Sequence, residues 1–168
     1  MVPGCGRILT LDKPVTLSTV IQRVKRHLNL NLVRLAVGNG TDPDKAVQTV
    51  AICAGSGKPC ELLMLTHTRG AAVSLPLPPL PCVFPAAPCL CIGGGVLRGV
   101  VADVFLTGEM SHHDLLEANA KGTSVILCEH SNTERGYLAV LKETLTEALE
   151  KKVEVLLSQK DRDPVTVL

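Results

Sequence analysis

Short apolar runs alternate along this chain with stretches of helical periodicity, and this alternation constrains the fold more than any other feature. VRLAVG, AVQTVAICAGSG, VVADVFLTGE, TSVILCEH and VEVLLS have the length and β-branched composition of strands. GRILTLDKPVTL reads as a short strand and turn. Between these lie helical segments. TLSTVIQRVKRHLNL carries Leu17, Val20, Ile21, Val24 and Leu28 on one face, with Thr16 or Ser18 to cap its start and Lys25, Arg26 and His27 on a solvated face. SHHDLLEANAKG is a second helix. SNTERGYLAVLKETLTEALEKK is a third, with Leu138, Leu141, Leu145 and Leu149 recurring every three or four residues. An amphipathic helix needs a surface to cover, so strands interleaved with helices build an α/β fold, a layered mixed sheet with flanking helices and at least some parallel strands.

One stretch breaks the pattern. Residues 58–95 hold prolines at 76, 78, 79, 81, 85 and 88, and their only charges are Lys58, Glu61 and Arg69. Proline lacks the N–H that a helix interior or a central strand requires, so neither fits here, and a membrane-spanning helix is excluded with them. PLPP and PPLP match the polyproline pattern P-x-x-P, but no basic residue flanks them as a docking ligand would need. The expectation is a disordered or poorly packed insert at 58–95. It splits one α/β domain into residues 1–57 and 96–168.

The remaining composition narrows the function classes. A net charge of +1 gives no electrostatic footprint for nucleic acid or an acidic membrane. Aromatics at 2% supply no platform for base stacking. Seven irregularly spaced cysteines, with no secretion signal at the start, read as reduced thiols in a cytoplasmic protein. Cys89 and Cys91 form C-x-C without a second pair, which is a poor zinc pattern.

Two candidate sites lie where a strand passes into a helix, the edge at which open α/β sheets bind ligands. In TGEMSHHD, Ser111 and Asp114 have the spacing of a helix cap, S-x-x-D, and Glu109 stands at the strand end. His112 and His113 point about 100° apart on a helix, so one ion does not take both. With Glu109 and Ser111 they suit places behind the ligands or facing a substrate. In LCEHSNTERGYL, Ser131 and Glu134 again form a capping pattern, S-x-x-E. That pattern leaves His130 unexplained. An imidazole just before a helix, with a carboxylate one turn later, can converge on one cation, although the positive helix start disfavours a cation there. On the residues alone, metal pair and helix cap both remain open.

The block TGEMSHHDLLEANAKGTSVILCEHSNTERGYL closely resembles the C-terminal part of the NIF-three-like family, also called GTP cyclohydrolase I type 2, and its animal members above all. GE-x-S and H-x-x-x-ER-G stand at the family's spacing, and the likeness extends over GRILTLDKPVTLSTVIQRVKRHLNLNLVRLAVG, VAICAGSG and DRDP. The resemblance implies layered α/β architecture and two divalent metal ions in a shared cleft, with His130 and Glu134 among their ligands. It also implies protein partners in transcriptional co-regulator complexes, a homo-oligomeric full-length form, and a cytoplasmic location with the nucleus as a second one. No direct nucleic-acid or membrane partner is expected. The family's other ligands, a histidine pair and an aspartate, belong to a region that precedes this chain, and no YHPP-like motif occurs here. In the family AGSG leads almost directly into VLRGV, so residues 58–95 read like translated non-coding sequence or an alternative splice product. The expectation is therefore a truncated or alternatively spliced family member with half a dinuclear site, inactive alone, and a metal-dependent hydrolase when complete.

Overall fold

The structure is a computed structural model that describes residues 6–56 and 100–165. The expected insert at 58–95, with Cys89 and Cys91, lies outside the described residues. β1 (Arg7–Thr16) runs into α1 (Leu17–Leu28), followed by β2 (Arg34–Ala36), β3 (Ala46–Cys53), β4 (Val104–Thr107), α2 (His112–Ala120), β5 (Ser124–Leu127), α3 (His130–Glu134) and α4 (Tyr137–Ala148). The five strands form one mixed sheet in the order β1-β3-β4-β5-β2. β3, β4 and β5 are parallel, and β1 and β2 flank them antiparallel. This is the layered α/β fold that the alternation demands.

The two faces of the sheet follow from period-two alternation along the strands. Val47 and Val50 of β3, Val104 of β4, and Ile126 and Cys128 at β5 pack under Leu17, Val20 and Val24 of α1. Ala51, Phe105, Val125 and Leu127 form the opposite face, against Ala118 of α2. β4 and β5 are covered on both sides, so their sequences read as unbroken apolar runs rather than as alternating ones. Thr16, not Ser18, caps α1: its Oγ1 accepts from Thr19 N at 3.2 Å. Asn29 closes the helix in the left-handed region at φ 54°.

Three expectations are corrected. The first concerns GRILTLDKPVTL, which is not a short strand and turn but the ten-residue β1. Its pairing with β3 slips between Thr10 and Val15, and Pro14 sits in that slip on an edge strand, where its missing N–H interrupts no regular ladder. The second is the continuous helix expected from Ser131, which is broken: α3 ends at Glu134, and α4 begins at Tyr137, after Gly136. Glycine is a poor interior helix residue. Among the described residues the leucine stripe of α4 is only partly covered: Leu141 is half-buried, and Leu138, Leu145 and Leu149 are exposed. The third is VEVLLS, which forms no strand, and Val153 and Leu156 are exposed. A lone apolar run without a paired edge has no stability of its own as a strand. Among the described residues no helix is long and apolar enough to cross a membrane.

Candidate metal centre

β3, β4 and β5 end level with one another, since Cys53 pairs with Thr107 and Thr107 with Leu127. The residues that follow each strand therefore meet at one edge of the sheet. Gly55 O accepts from Glu109 N at 2.9 Å and from Thr107 Oγ1 at 3.3 Å. Gly55 N donates to Thr133 Oγ1 at 2.8 Å, and Thr133 Oγ1 donates to His130 O at 2.8 Å. These bonds stitch the β3 and β4 ends to the first turn of α3.

His130 stands at the centre of that edge. Its Nδ1 lies 2.7 Å from Glu109 Oε1, and its Nε2 lies 3.4 Å from Glu134 Oε1, one helical turn away. All three side chains are about half-exposed. The hydrogen bond with Glu109 pulls the imidazole above its ordinary pKa. Burial opposes this, and the carboxylate of Glu134 adds to it. Two glycines make the approach possible. A Cβ on Gly55, whose φ is +73°, would sit 2.7 Å from Glu134 Oε1 and 3.1 Å from His130 Nε2. A Cβ on Gly108 would sit 2.8 Å from His130 Cα.

The arrangement fits a divalent ion on donor chemistry and spacing. Two ligands each about 2.1 Å from one ion stand roughly 3.0–3.4 Å apart, and His130 Nε2 and Glu134 Oε1 have that separation. Imidazole and carboxylate suit divalent transition metals. Glu109 occupies the other ring nitrogen, as a carboxylate commonly does behind a ligating histidine, where it fixes the tautomer and the ring direction. Yet among the described residues no group of three or more His, Cys, Asp or Glu side chains is placed to hold an ion.

The other candidates divide. Ser111 caps α2: its Oγ accepts from Asp114 N at 3.3 Å and donates to Asp114 Oδ2 at 2.6 Å. His112 and His113 are exposed on the first turn of α2, with ring centroids 6.0 Å apart, edge to face. Ser131 does not cap α3. The helix starts a residue earlier, at His130, its N-cap position is Glu129, and no side chain caps it. Ser131 N instead donates to Asp163 Oδ2 at 3.2 Å, while Glu134, the expected capping partner, turns to His130. Asp103 is spent on structure at the other end of β4, where its Oδ2 accepts from Gln48 N, Thr49 N and Thr49 Oγ1. Cys128 is a core thiol, pushed up to about 12 by burial and by Glu129 beside it.

Sequence reasoning missed the support of the site. Gly55 and Thr133 carry its hydrogen bonds. Asp161 accepts from Arg135 Nε at 2.9 Å, and with Asp163 it ties the segment after α4 back onto α3. The GSG after β3 was the available signal for a close backbone approach. Nothing in the letters pairs residues 131 and 163.

A layered α/β sheet with a histidine–carboxylate pair at its parallel strand ends defines the class, and comparison with known proteins supplies the family. The sequence pattern of Duf34/NIF3 (NGG1p interacting factor 3) matches residues 2–75 and 94–164, so the chain belongs to that family. The match leaves 76–93 uncovered, within the proline-rich stretch. NIF3-like protein 1 of Rattus norvegicus is 46% identical over 98% of this chain and 34% of its own length, and that of Homo sapiens is 44% identical over the same shares. The chain thus spans about a third of these relatives. Among solved structures, a Bacillus cereus protein related to NIF3 superposes with a TM-score of 0.62 at 21% identity, covering 98% of this chain and 36% of its own, which supports the fold alone.

Proposed function

We propose that this chain contributes the His130–Glu134 half of a divalent metal centre that serves hydrolysis when the rest of the family fold is present. The observation that carries the reading is the convergence of His130 Nε2 and Glu134 Oε1 at 3.4 Å, with Nδ1 already engaged by Glu109. With Nδ1–H donating to Glu109, the neutral imidazole would turn its Nε2 lone pair to an ion. Glu134 supplies negative charge from one turn on. Gly55 and Gly108 bring both against the strand ends without side chains in the way. A bound divalent ion would supply an activated water and stabilise developing oxyanion charge. The donors still needed belong, in this proposal, to the two thirds of the relatives' length that the chain does not span.

The test is elemental analysis of a full-length family protein carrying these residues. His130→Ala should lower bound metal per chain, and unchanged stoichiometry would return the pair to a purely structural role. A second reading, a protein-interaction module, is favoured by the exposed leucines of α4 and by a relative named NGG1-interacting factor 3 in Saccharomyces cerevisiae, 30% identical over 98% of this chain. Co-purification of a partner that is lost on Leu145→Glu, with metal content unchanged, would separate the two. The cytoplasm, with the nucleus as a second location, remains the proposed place of action.

A further inference from the structure

Glu129 adopts φ 66° and ψ 150°. Asn29 also has positive φ, but its ψ of 46° places it in the ordinary left-handed well. Glu129 lies instead in a region that essentially only glycine adopts, where a side chain is held only if its surroundings over-determine it. The strain falls on the peptide immediately before His130. It sets the direction in which the chain leaves β5 and so where the imidazole points. Its surroundings are unusually well fixed. Cys128 N donates to Thr107 O at 3.0 Å on one side, and Ser131 N donates to Asp163 on the other.

Among the described residues, the side chain of Glu129 is paired with Arg34. Arg34 Nε donates to Glu129 Oε1 at 2.8 Å. The pair forms where the β2–β5 ladder ends: Arg34 opposes Leu127, the last residue of β5, two positions before Glu129. Glu129's side chain is 15% exposed, so its charge is sheltered although Arg34's, at 57%, is not. Removing the cation would leave a largely covered carboxylate without counter-charge, which is costlier than losing an ordinary surface pair.

We propose that the Arg34–Glu129 ion pair is a positioning clamp for His130, holding the strained peptide at 129 so that Nδ1 stays on Glu109 and Nε2 faces Glu134. For its purpose the proposal rests on the reading of His130 as a metal ligand, but its geometry does not depend on it. Arg34 and Glu129 are positioning residues that touch no reacting atom.

The test uses the 168-residue chain with and without zinc as the only probe. In the metal-free chain, NMR should show the His130 Nδ1 proton as a downfield, hydrogen-bonded resonance. Arg34→Met and Glu129→Gln should each broaden or erase it, with circular dichroism unchanged, and should weaken zinc binding about ten-fold, as loss of support behind a ligand does. Glu129→Gly should keep both, because glycine holds this conformation without a clamp, and adding Arg34→Met to it should then change nothing. Wild-type resonance and affinity in both Arg34→Met and Glu129→Gln would overturn the proposal, as would loss of the resonance in Glu129→Gly. If Arg34→Met does not fold, Glu129→Gln carries the same comparison. If the wild-type chain binds no measurable zinc while the resonance responds as expected, the clamp stands on the resonance, and the metal reading is decided separately by the His130→Ala stoichiometry in the full-length protein.

Discussion

Glu109 Oε1 lies 2.7 Å from His130 Nδ1, a bond between two strand ends that are 21 residues apart in the chain. It orients the ring and raises its pKa. Glu109→Gln should therefore move the His130 titration, followed by NMR in the metal-free chain, to lower pH. A folded-state pKa above the unfolded value stabilises the fold fully below about pH 6.5, and that contribution is lost as pH rises through the folded value. The destabilisation by Glu109→Gln should accordingly be larger at acid than at alkaline pH, and small throughout, since both side chains are about half-exposed. An unshifted titration would mean that the contact does not persist in solution.

Gly55 leaves no room for a side chain. At φ +73°, with Glu134 Oε1 2.7 Å and His130 Nε2 3.1 Å from an added Cβ, Gly55→Ala must both strain the backbone and displace the site. The expected cost is about 1–2 kcal/mol in urea unfolding, above what the backbone change alone would give. Zinc binding should fall with it. An alanine variant of wild-type stability would show that the β3 end yields more easily than its hydrogen bonds to Thr133 and Glu109 suggest.

Ser111 and Ser131 occupy equivalent places in two capping patterns, and the structure uses only the first. Ser111→Ala should lower stability by about 1 kcal/mol through loss of the bond to Asp114 N. Ser131→Ala should stay within about 0.5 kcal/mol, because its backbone N–H and not its hydroxyl makes the contact with Asp163. Equal losses would contradict the start of α3 at His130.

The contrast between those serines marks how much was legible. Periodicity located α1 because its stripe of Leu17, Val20 and Val24 answers to one face of the sheet and to nothing else. The runs ending at Thr107 and Leu127 announced strands because burial on both faces removes the polar alternation. The convergence of His130 and Glu134 was legible because both lie on one turn. Glu109 was read as standing behind the ligands or facing a substrate, but its pairing with His130 was not legible, since that contact exists only through the parallel register of β4 and β5. Ser131 misled because a capping pattern names the helix start only if the preceding residue is extended. Glu129 instead takes a positive φ with an extended ψ, and the helix starts early, at His130.

Asp103 fastens β4 to β3 at the end remote from the site. Burial pushes its pKa up, but hydrogen bonds from Gln48 and Thr49, with the charge of Lys45, outweigh burial and hold it below the usual value. Asp103→Ala should cost about 1–3 kcal/mol, because the N–H groups of Gln48 and Thr49 lose their acceptor. A lowered carboxylate pKa contributes stability above the unfolded value near 3.8 and loses it as pH falls through the folded value. The gap between wild type and Asp103→Ala should therefore narrow on acidification below about pH 4. A gap independent of pH would assign the effect to packing.

Purified chain 1–168 should show no chelator-sensitive hydrolysis or cyclohydrolase turnover above background. Two donors on one turn of α3 converge, but catalysis by a metal pair needs each ion held by several ligands while positions stay open for water and substrate. Glu109 cannot fill in without releasing His130 Nδ1, Asp103 is bound to the β3 backbone, and His112 and His113 are exposed on the first turn of α2. Weak zinc binding that strengthens as pH rises and His130 loses its proton is the expected behaviour of such a half-site. Titration calorimetry at two pH values checks it. Robust turnover, abolished by both EDTA and Glu134→Gln, would overturn the prediction and mean that a complete centre assembles from these residues, with a second copy of the chain as the only other source of ligands.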